Sequence, residues 1–377
     1  MKLDYYLVKE QKYFSKYYDL FIFLDGGDEV LIEEPLVSII VLNYNAGDLL
    51  YNCVQSIDEL DYNNLEIILV DNVSTDNSQN ECKSRFPKIK LIQNTQNLGY
   101  CGGNNIGFKQ AKGDFILVLN PDTIVEKNLI TELLKAYREK GEGLFQPKIL
   151  SLTDKKILQS QGNMINIFGF GYAKDKGKID KNEFKNINLI GYASGTSLFS
   201  SKKIFEDLDF FDEFLFLYHD DLDLGWRAKQ RGIKSFFVPN TTIYHAESYS
   251  LKWSKKKFYW LERNRRYCLK THYSEETLKK IKVSLWYVEI LVWIFYFSKG
   301  YLSAKIQAEL DLRKNSEFIK KKQIEIENEK TISDRELIKE FSNRIEVPKN
   351  VSEGIPSRLF LNWLEKLSII AKKQLNN

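Results

Sequence analysis

Between Phe210 and Arg227 the chain reads FFDEFLFLYHDDLDLGWR, a stretch in which carboxylates crowd around one histidine, His219. Neighbouring carboxylates raise one another's pKa and are costly to bring together unless a cation or a proton transfer compensates. Asp221 is therefore read as a general base that takes the proton of an acceptor hydroxyl, with Asp220 orienting it. Asp223 and Arg227 are four residues apart, so a helical ion pair explains them equally well. An N-cap role for Asp220 or Asp221 is the other structural explanation.

More polar groups sit where apolar runs stop. VSIIVLN ends at Asn43-Tyr44-Asn45, EIILVDN ends at Asp71-Asn72 with Ser74 and Asp76 behind it, and FILVLN ends at Asn120-Pro121-Asp122. In an open α/β sheet, ligands bind beyond the carboxyl ends of the strands. Asp122 is placed to hold Mg²⁺ or Mn²⁺, because hard divalent ions take oxygen ligands and are shared between carboxylates and substrate phosphates. Such an ion offsets charge on a departing diphosphate. The alternative for Asp122 is a helix N-cap. His245 closes the β-rich run TTIYH and is either a second ligand or a structural histidine. Between these groups runs NLGYCGGNNIG, from Asn97 to Gly107. Its glycines permit close backbone approach, and it leads into a helix N-terminus, which favours anions. It is neither GxGxxG nor GxxxxGKS/T, which weighs against dinucleotide and P-loop chemistry.

The elements that must position these groups alternate. Strands are expected at VSIIVLN, EIILVDN, Ile89–Gln93 and FILVLN. Helices are expected at Asp48–Leu60, at Asp76–Phe86 with Ser74 or Asp76 as N-cap, and at Lys127–Lys140. A later helix at Leu222–Gln230 precedes strands at Ser235–Val238 and Thr242–His245. The pattern predicts an α/β fold, a mostly parallel sheet flanked by helices. Residues 1–35 read as an N-terminal extension, 36–250 as the catalytic domain, and 251–377 as a mainly helical C-terminal region.

At 377 residues and 43% hydrophobic, the chain can bury a sizeable core. Its 55 basic and 51 acidic residues nearly balance, which argues against a nucleic-acid partner. Four cysteines without a CxxC pair suit a reducing compartment, so a cytoplasmic location is expected. The charged N-terminus does not read as a secretory signal. Val283–Phe297 is apolar but contains Glu289 and is shorter than the ~20 residues a span needs. It reads as a buried or interfacial helix. Lys252–Lys270 holds eight basic residues and one acid, Glu262. It suits an anionic membrane surface or a lipid-diphosphate acceptor, a wall for the donor diphosphate, or a solvated helix. The first option gives peripheral attachment at the inner face of the cell membrane.

From Val37 to Lys270 the ordered blocks VSIIVLNYN, ILVDNVSTDNS, NLGYCGGNNIG, LVLNPDT, GYASGTSLFSSKKIFEDLDFFDE, YHDDLDLGWRAKQRG and IYHAES–RNRR resemble family 2 glycosyltransferases of GT-A fold, in their rhamnosyltransferase-like branch. The resemblance implies an inverting, metal-dependent enzyme. It would move a sugar from a nucleoside-diphosphate donor, dTDP-rhamnose or a UDP-sugar, to a glycan or lipid-linked glycan hydroxyl. It implies that Asn45 and Asp71 line the nucleotide pocket, Asp71 against the pyrimidine, and that Asn97, Gly99 and Asn104 shape the donor site. Asn43, Asn72, Asp76 and Arg263 are assigned to the donor as well. Asn120 and Asp122 correspond to the metal motif, with Mn²⁺ or Mg²⁺ held by Asp122 and His245. Asp221 corresponds to the catalytic base, Asp220 standing where the family usually has Glu. Gly195 and Thr196 fall in the acceptor loop, and Trp226 is assigned to the acceptor with them. Two other functions compete. A sugar-1-phosphate nucleotidyltransferase needs a basic, glycine-rich loop after the first strand, where this chain has NYNAGDLL. A non-catalytic nucleotide-sugar-binding protein would not need Asp71, Asp122 and Asp221 together.

Overall fold

The computed structural model describes residues 34–246, 254–347 and 355–376. The segment 1–33 and the expected boundary near residue 250 lie outside the described residues. Leu36–Asn377 forms one compact unit.

The chain opens with β1 (Val37–Asn43), α1 (Asp48–Asp58), β2 (Leu65–Asp71), α2 (Ser78–Arg85), β3 (Lys90–Gln93), α3 (Gly99–Gln110) and β4 (Phe115–Leu119). β1 pairs in parallel with β2 and β4, and β2 with β3. Period-two alternation feeds both faces. Ile40 and Leu42 enter the core shared with α3, while Ile39 and Val41 pack against Leu50, Cys53 and Val54 of α1. Burial on both faces explains the continuous apolar runs.

The second half mixes directions. β5 (Thr123–Val125), α4 (Leu129–Lys140), β6 (Gly143–Ser151), β7 (Leu158–Ser160), β8 (Asn163–Ile165), β9 (Gly171–Ala173), β10 (Asn188–Ile190), β11 (Ser197–Ser201) and α5 (Lys202–Asp207) follow. They lead to α6 (Asp220–Gln230) and β12 (Lys234–His245). β11 runs antiparallel to β4 and β6, and β12 runs parallel to β6. The two expected strands before His245 are one strand, β12, with a register shift between Val238 and Thr242.

Several local expectations change. The glycine-rich segment is itself α3, and does not merely lead into a helix. Asp122 precedes β5, not a helix, so it is no N-cap; Asn128 stands before α4. The helix after β2 begins at Ser78 behind Asn77, whose φ is 62°, and not behind Ser74 or Asp76. α6 starts behind His219, so Asp220 and Asp221 lie in its first turn and are not its N-cap.

From Lys255 the described residues are mainly helical: α7 (Lys255–His272), α8 (Glu275–Lys280), α9 (Lys282–Ser298), α10 (Leu302–Lys314), α11 (Ser316–Glu329), α12 (Asp334–Glu340) and α13 (Ile355–Asn376). They are not a separate body. Tyr267, Val288 and Leu364 belong to the same core as Ile40 and Trp226. The acid that interrupts the apolar run of α9, Glu289, turns inward onto Arg265 at 2.7 Å and Lys305 at 2.9 Å. Those cations hold its carboxyl well below the usual range against the opposing effect of burial.

Candidate active site

A cleft of about 470 Å³ opens at the carboxyl ends of β1, β2 and β4. Asn72, Asn97, Gly99, Asn120 and Asp122 line one side, and Gly195, Thr196, Asp220, Asp221 and His245 complete it.

Strand pairing makes the first acidic centre. β5 folds back antiparallel to the end of β12, so Thr123 opposes His245. The Ala246 N–H donates to the Asp122 carbonyl at 2.9 Å. His245 Nε2 then lies 3.3 Å from Asp122 Oδ2. Gln159 orients the ring. Its Nε2 donates to the His245 carbonyl at 2.8 Å, which leaves its Oε1 facing His245 Nδ1 at 2.6 Å. An amide oxygen only accepts, so a neutral ring carries its proton on Nδ1 and turns the lone pair of Nε2 to Asp122. Asp122 Oδ1 is buried without a hydrogen-bond partner. Two acceptors face each other with no donor between them, and one carboxylate oxygen is left over. A divalent cation satisfies both, so these residues fit Mn²⁺ or Mg²⁺.

The second centre is the start of α6. Asp221 is half-buried there. Its Oδ2 accepts from the Gly195 N–H at 3.1 Å and its Oδ1 from the Leu222 N–H at 2.8 Å. Burial pushes its carboxyl up to about 6, against the pull of those two N–H groups. Asp220 is raised well above its ordinary value, by burial first and by Asp221 second. The two carboxyls titrate as a pair, and the N–H groups on the Asp221 oxygens favour ionisation at Asp221. Gly195 must be glycine: a Cβ there would come within 2.8 Å of the Tyr100 hydroxyl and 3.3 Å of the Asp220 carboxylate. That hydroxyl donates to the Gly195 carbonyl at 2.6 Å, which holds the loop against Asp221.

Residues 38–208 match the family described as Glycosyl transferase family 2. The chain carries a family 2 glycosyltransferase domain. It is 26% identical over 204 residues to the low-salt glycan biosynthesis hexosyltransferase Agl10 of Haloferax volcanii, covering 52% of this chain and 62% of that protein. It is 24% identical over 242 residues to the N-acetylglucosaminyl-diphospho-decaprenol L-rhamnosyltransferase of Mycobacterium tuberculosis, covering 57% of this chain and 77% of that protein. A 36% identity to the glycosyltransferase GlyG of Streptococcus pneumoniae spans only 28% of this chain and 36% of that protein. Two of these three relatives are thus matched over less than two thirds of their length. Among solved structures, GalNAc-T7 with UDP, GalNAc and Mn²⁺ superposes with a TM-score of 0.54 at 17% identity, over 68% of this chain and 52% of that one. The fold is of GT-A type, with a helical C-terminal region.

The segment before α6 is backbone-strained. Phe216, Tyr218 and His219 have φ of 63°, 67° and 61°, a region bulky side chains rarely enter. α7 braces it. The Asn264 amide faces the carbonyls of Leu215, Leu217 and Tyr218 at 3.0, 2.9 and 2.7 Å. Arg263 donates to the Phe214 carbonyl and lies over the Phe214 and Trp260 rings. Arg263, expected at the donor, is therefore behind the cleft wall, supporting the segment that leads to Asp221.

Other assigned residues are not among those that line the cleft. Asn43 donates to Asp71 Oδ1 at 2.8 Å, and Asp71 Oδ2 accepts from the Ser74 N–H at 3.0 Å. Asn45 accepts from the Thr75 N–H at 2.7 Å, and Asp76 from the Gly47 N–H at 2.9 Å. These four tie the loops after β1 and β2 together without lining the cleft. Asn104 is buried in α3, donating to the Tyr100 carbonyl at 2.9 Å. Sequence reasoning did not single out Tyr100. Nor did it find Lys176, which arrives from the loop after β9 and has no motif. Lys256, Lys257 and Trp260 of the basic segment line the cleft as well.

Trp226, assigned to the acceptor, is core. It has no exposed surface and stacks on His272 at 4.7 Å, with Tyr273 and Phe341 edge-on. At 3.6 residues per turn it lies about 140° around the helix from Asp221, pointing away from the cleft. Trp226→Ala is expected to cost about 3–5 kcal/mol of stability in denaturant unfolding and to leave the acceptor KM of the folded enzyme unchanged. A raised KM with intact stability would return Trp226 to the acceptor site.

Proposed function

We propose that the protein is an inverting, metal-dependent hexosyltransferase. It moves a sugar from a nucleoside-diphosphate donor, dTDP-rhamnose or a UDP-sugar, to a hydroxyl of a glycan or lipid-linked glycan during cell-surface polysaccharide or glycoconjugate synthesis. One observation carries the reading: the Asp122–His245 pair and the Asp221 carboxylate line the same cleft. Support comes from relatives named as a hexosyltransferase of glycan biosynthesis and as a rhamnosyltransferase. A lipid-linked acceptor puts the protein at the inner face of the membrane as a peripheral enzyme.

Asp122 and His245 would hold Mn²⁺ or Mg²⁺, which supplies charge stabilisation for a leaving diphosphate. The chain's own residues do the rest. Asp221 accepts the proton of the acceptor hydroxyl as the oxygen attacks the anomeric carbon. The Gly195 and Leu222 N–H groups hold its two oxygens, so the base is aimed before the acceptor arrives. Lys256 and Lys257 add positive charge on the cleft wall. A single displacement needs no covalent sugar intermediate, and it inverts the anomeric centre.

The direct test is incubation with UDP-, dTDP- and GDP-sugars and Mn²⁺ or Mg²⁺, with and without a lipid-linked acceptor. Metal-dependent release of one nucleoside diphosphate is expected. No release, together with no metal-dependent nucleotide binding, would reduce the protein to a non-catalytic fold relative. The pH profile is a second check. Asp221 works ionised and its carboxyl is raised, so activity is lost as pH falls. The logarithm of kcat/KM should be flat above about 6 and drop about tenfold per pH unit below it. A profile flat down to the ordinary carboxylate range would remove Asp221 as the base.

A further inference from the structure

We propose that the outer faces of α9 and α13 form one surface that seats the protein on an anionic lipid bilayer. The proposal deepens the reading of a lipid-linked acceptor, and rests on it only for its purpose. A helix on the outside of a domain ordinarily turns a polar stripe to solvent. α9 does the reverse. Val283, Trp286, Tyr287, Ile290, Ile294 and Phe297 recur at helical steps along its outward face, with Trp286 59% and Phe297 71% exposed. Its one acid is the inward-turned Glu289.

α13 lies antiparallel beside it. Ser284 donates to Gln374 Oε1 at 3.0 Å near one end, and the Phe295 and Phe360 rings are 5.9 Å apart near the other. That register sets Ile370 level with Tyr287 and Leu359 level with Phe297 along the pair. On α13, exposed Leu359, Trp363 and Ile370 are interspersed with exposed Arg358, Lys366 and Lys373. The one acid among residues 358–375, Glu365, is half-buried and paired with Arg344 at 2.6 Å.

An apolar, aromatic stripe bordered by cations and short of acids has the chemistry of an interfacial helix. Rings enter the acyl boundary while Lys and Arg meet headgroup phosphates. The same charges disfavour a second copy as the occupant, because two such faces would oppose cations with no carboxylate to answer them. Among the described residues no helix is long and apolar enough to cross a membrane, so the contact lies in the plane of the surface.

The test floats the full chain with phosphatidylcholine vesicles, with and without phosphatidylglycerol, at low and high salt. Binding is expected with phosphatidylglycerol, weaker at high salt, and weaker by about tenfold or more in Ile290→Glu/Trp363→Glu. Lys366→Ser/Lys373→Ser keeps the apolar stripe and should lose the phosphatidylglycerol preference; it also covers the case where the first variant misfolds. Transfer to a water-soluble glycan acceptor should be unchanged in both, which separates failure of this surface from failure of the transferase reading. No flotation of the wild type, or equal flotation of both variants, overturns the proposal. So does a concentration-dependent dimer that Ile290→Glu/Trp363→Glu dissolves.

Discussion

Asp221→Asn is expected to lower kcat by about 10²–10⁴-fold, the range removed with a positioned general base, while donor affinity stays near that of the wild type. The substitution is close to isosteric. Its amide oxygen can still accept from the Gly195 N–H, so the loop that Tyr100 also holds should keep its place. What is lost is the lone pair that takes the proton. Asp220 is a poor replacement, because its burial, which the substitution leaves in place, still raises its carboxyl. The variant should therefore lose the pH-dependent limb as well as rate. Single-turnover kinetics beside nucleotide-binding calorimetry decide the matter. Equal losses of rate and donor affinity would make Asp221 a binding residue.

The second large effect belongs to Asp122→Ala. Metal-dependent binding of the donor nucleotide should disappear, and kcat/KM should fall by about 10²–10³-fold, the scale of one lost stabiliser of developing charge. The fold should survive. Asp122 Oδ1 has no partner to lose, and the strand pairing beside it uses only backbone. Gln159→Ala offers a graded comparison. It removes the group that sets the His245 tautomer, a change that typically weakens metal binding about 10–100-fold. Titration of Mn²⁺ with the nucleoside diphosphate present measures both. If Asp122→Ala binds Mn²⁺ as tightly as the wild type, the ion sits elsewhere.

Much of this site was legible in the sequence because strand ends in an α/β sheet collect ligands. β1, β2 and β4 announce themselves as β-branched apolar runs, and Asn72, Asn120 and Asp122 follow at their ends. Asp122 and His245 could each be singled out, but their contact could not. It depends on β5, three residues between FILVLN and the helix expected from Lys127 that do not read as a strand. Helix faces were the other blind spot. Trp226 and Arg263 lie in motif-bearing segments, yet which way each points is set by packing against α7 and by the Phe214 carbonyl. The two functions of the Arg263-Asn264 pair and of Tyr100 are contacts with backbone carbonyls, and a carbonyl leaves no trace in residue identity.

The position of the brace has a consequence for the order in which the enzyme comes into being. The acids of the cleft are translated before the asparagine that braces the turn ahead of α6. Asp122, Asp221 and His245 all precede Asn264, whose amide restrains the strained turn in front of α6. A chain still emerging from the ribosome thus possesses the proposed set of reactive groups while the turn ahead of Asp221 is unsupported. Turnover should switch on abruptly along a series of C-terminally extended chains, at the length that first lets α7 dock. Until then the nascent polypeptide is chemically equipped and geometrically silent.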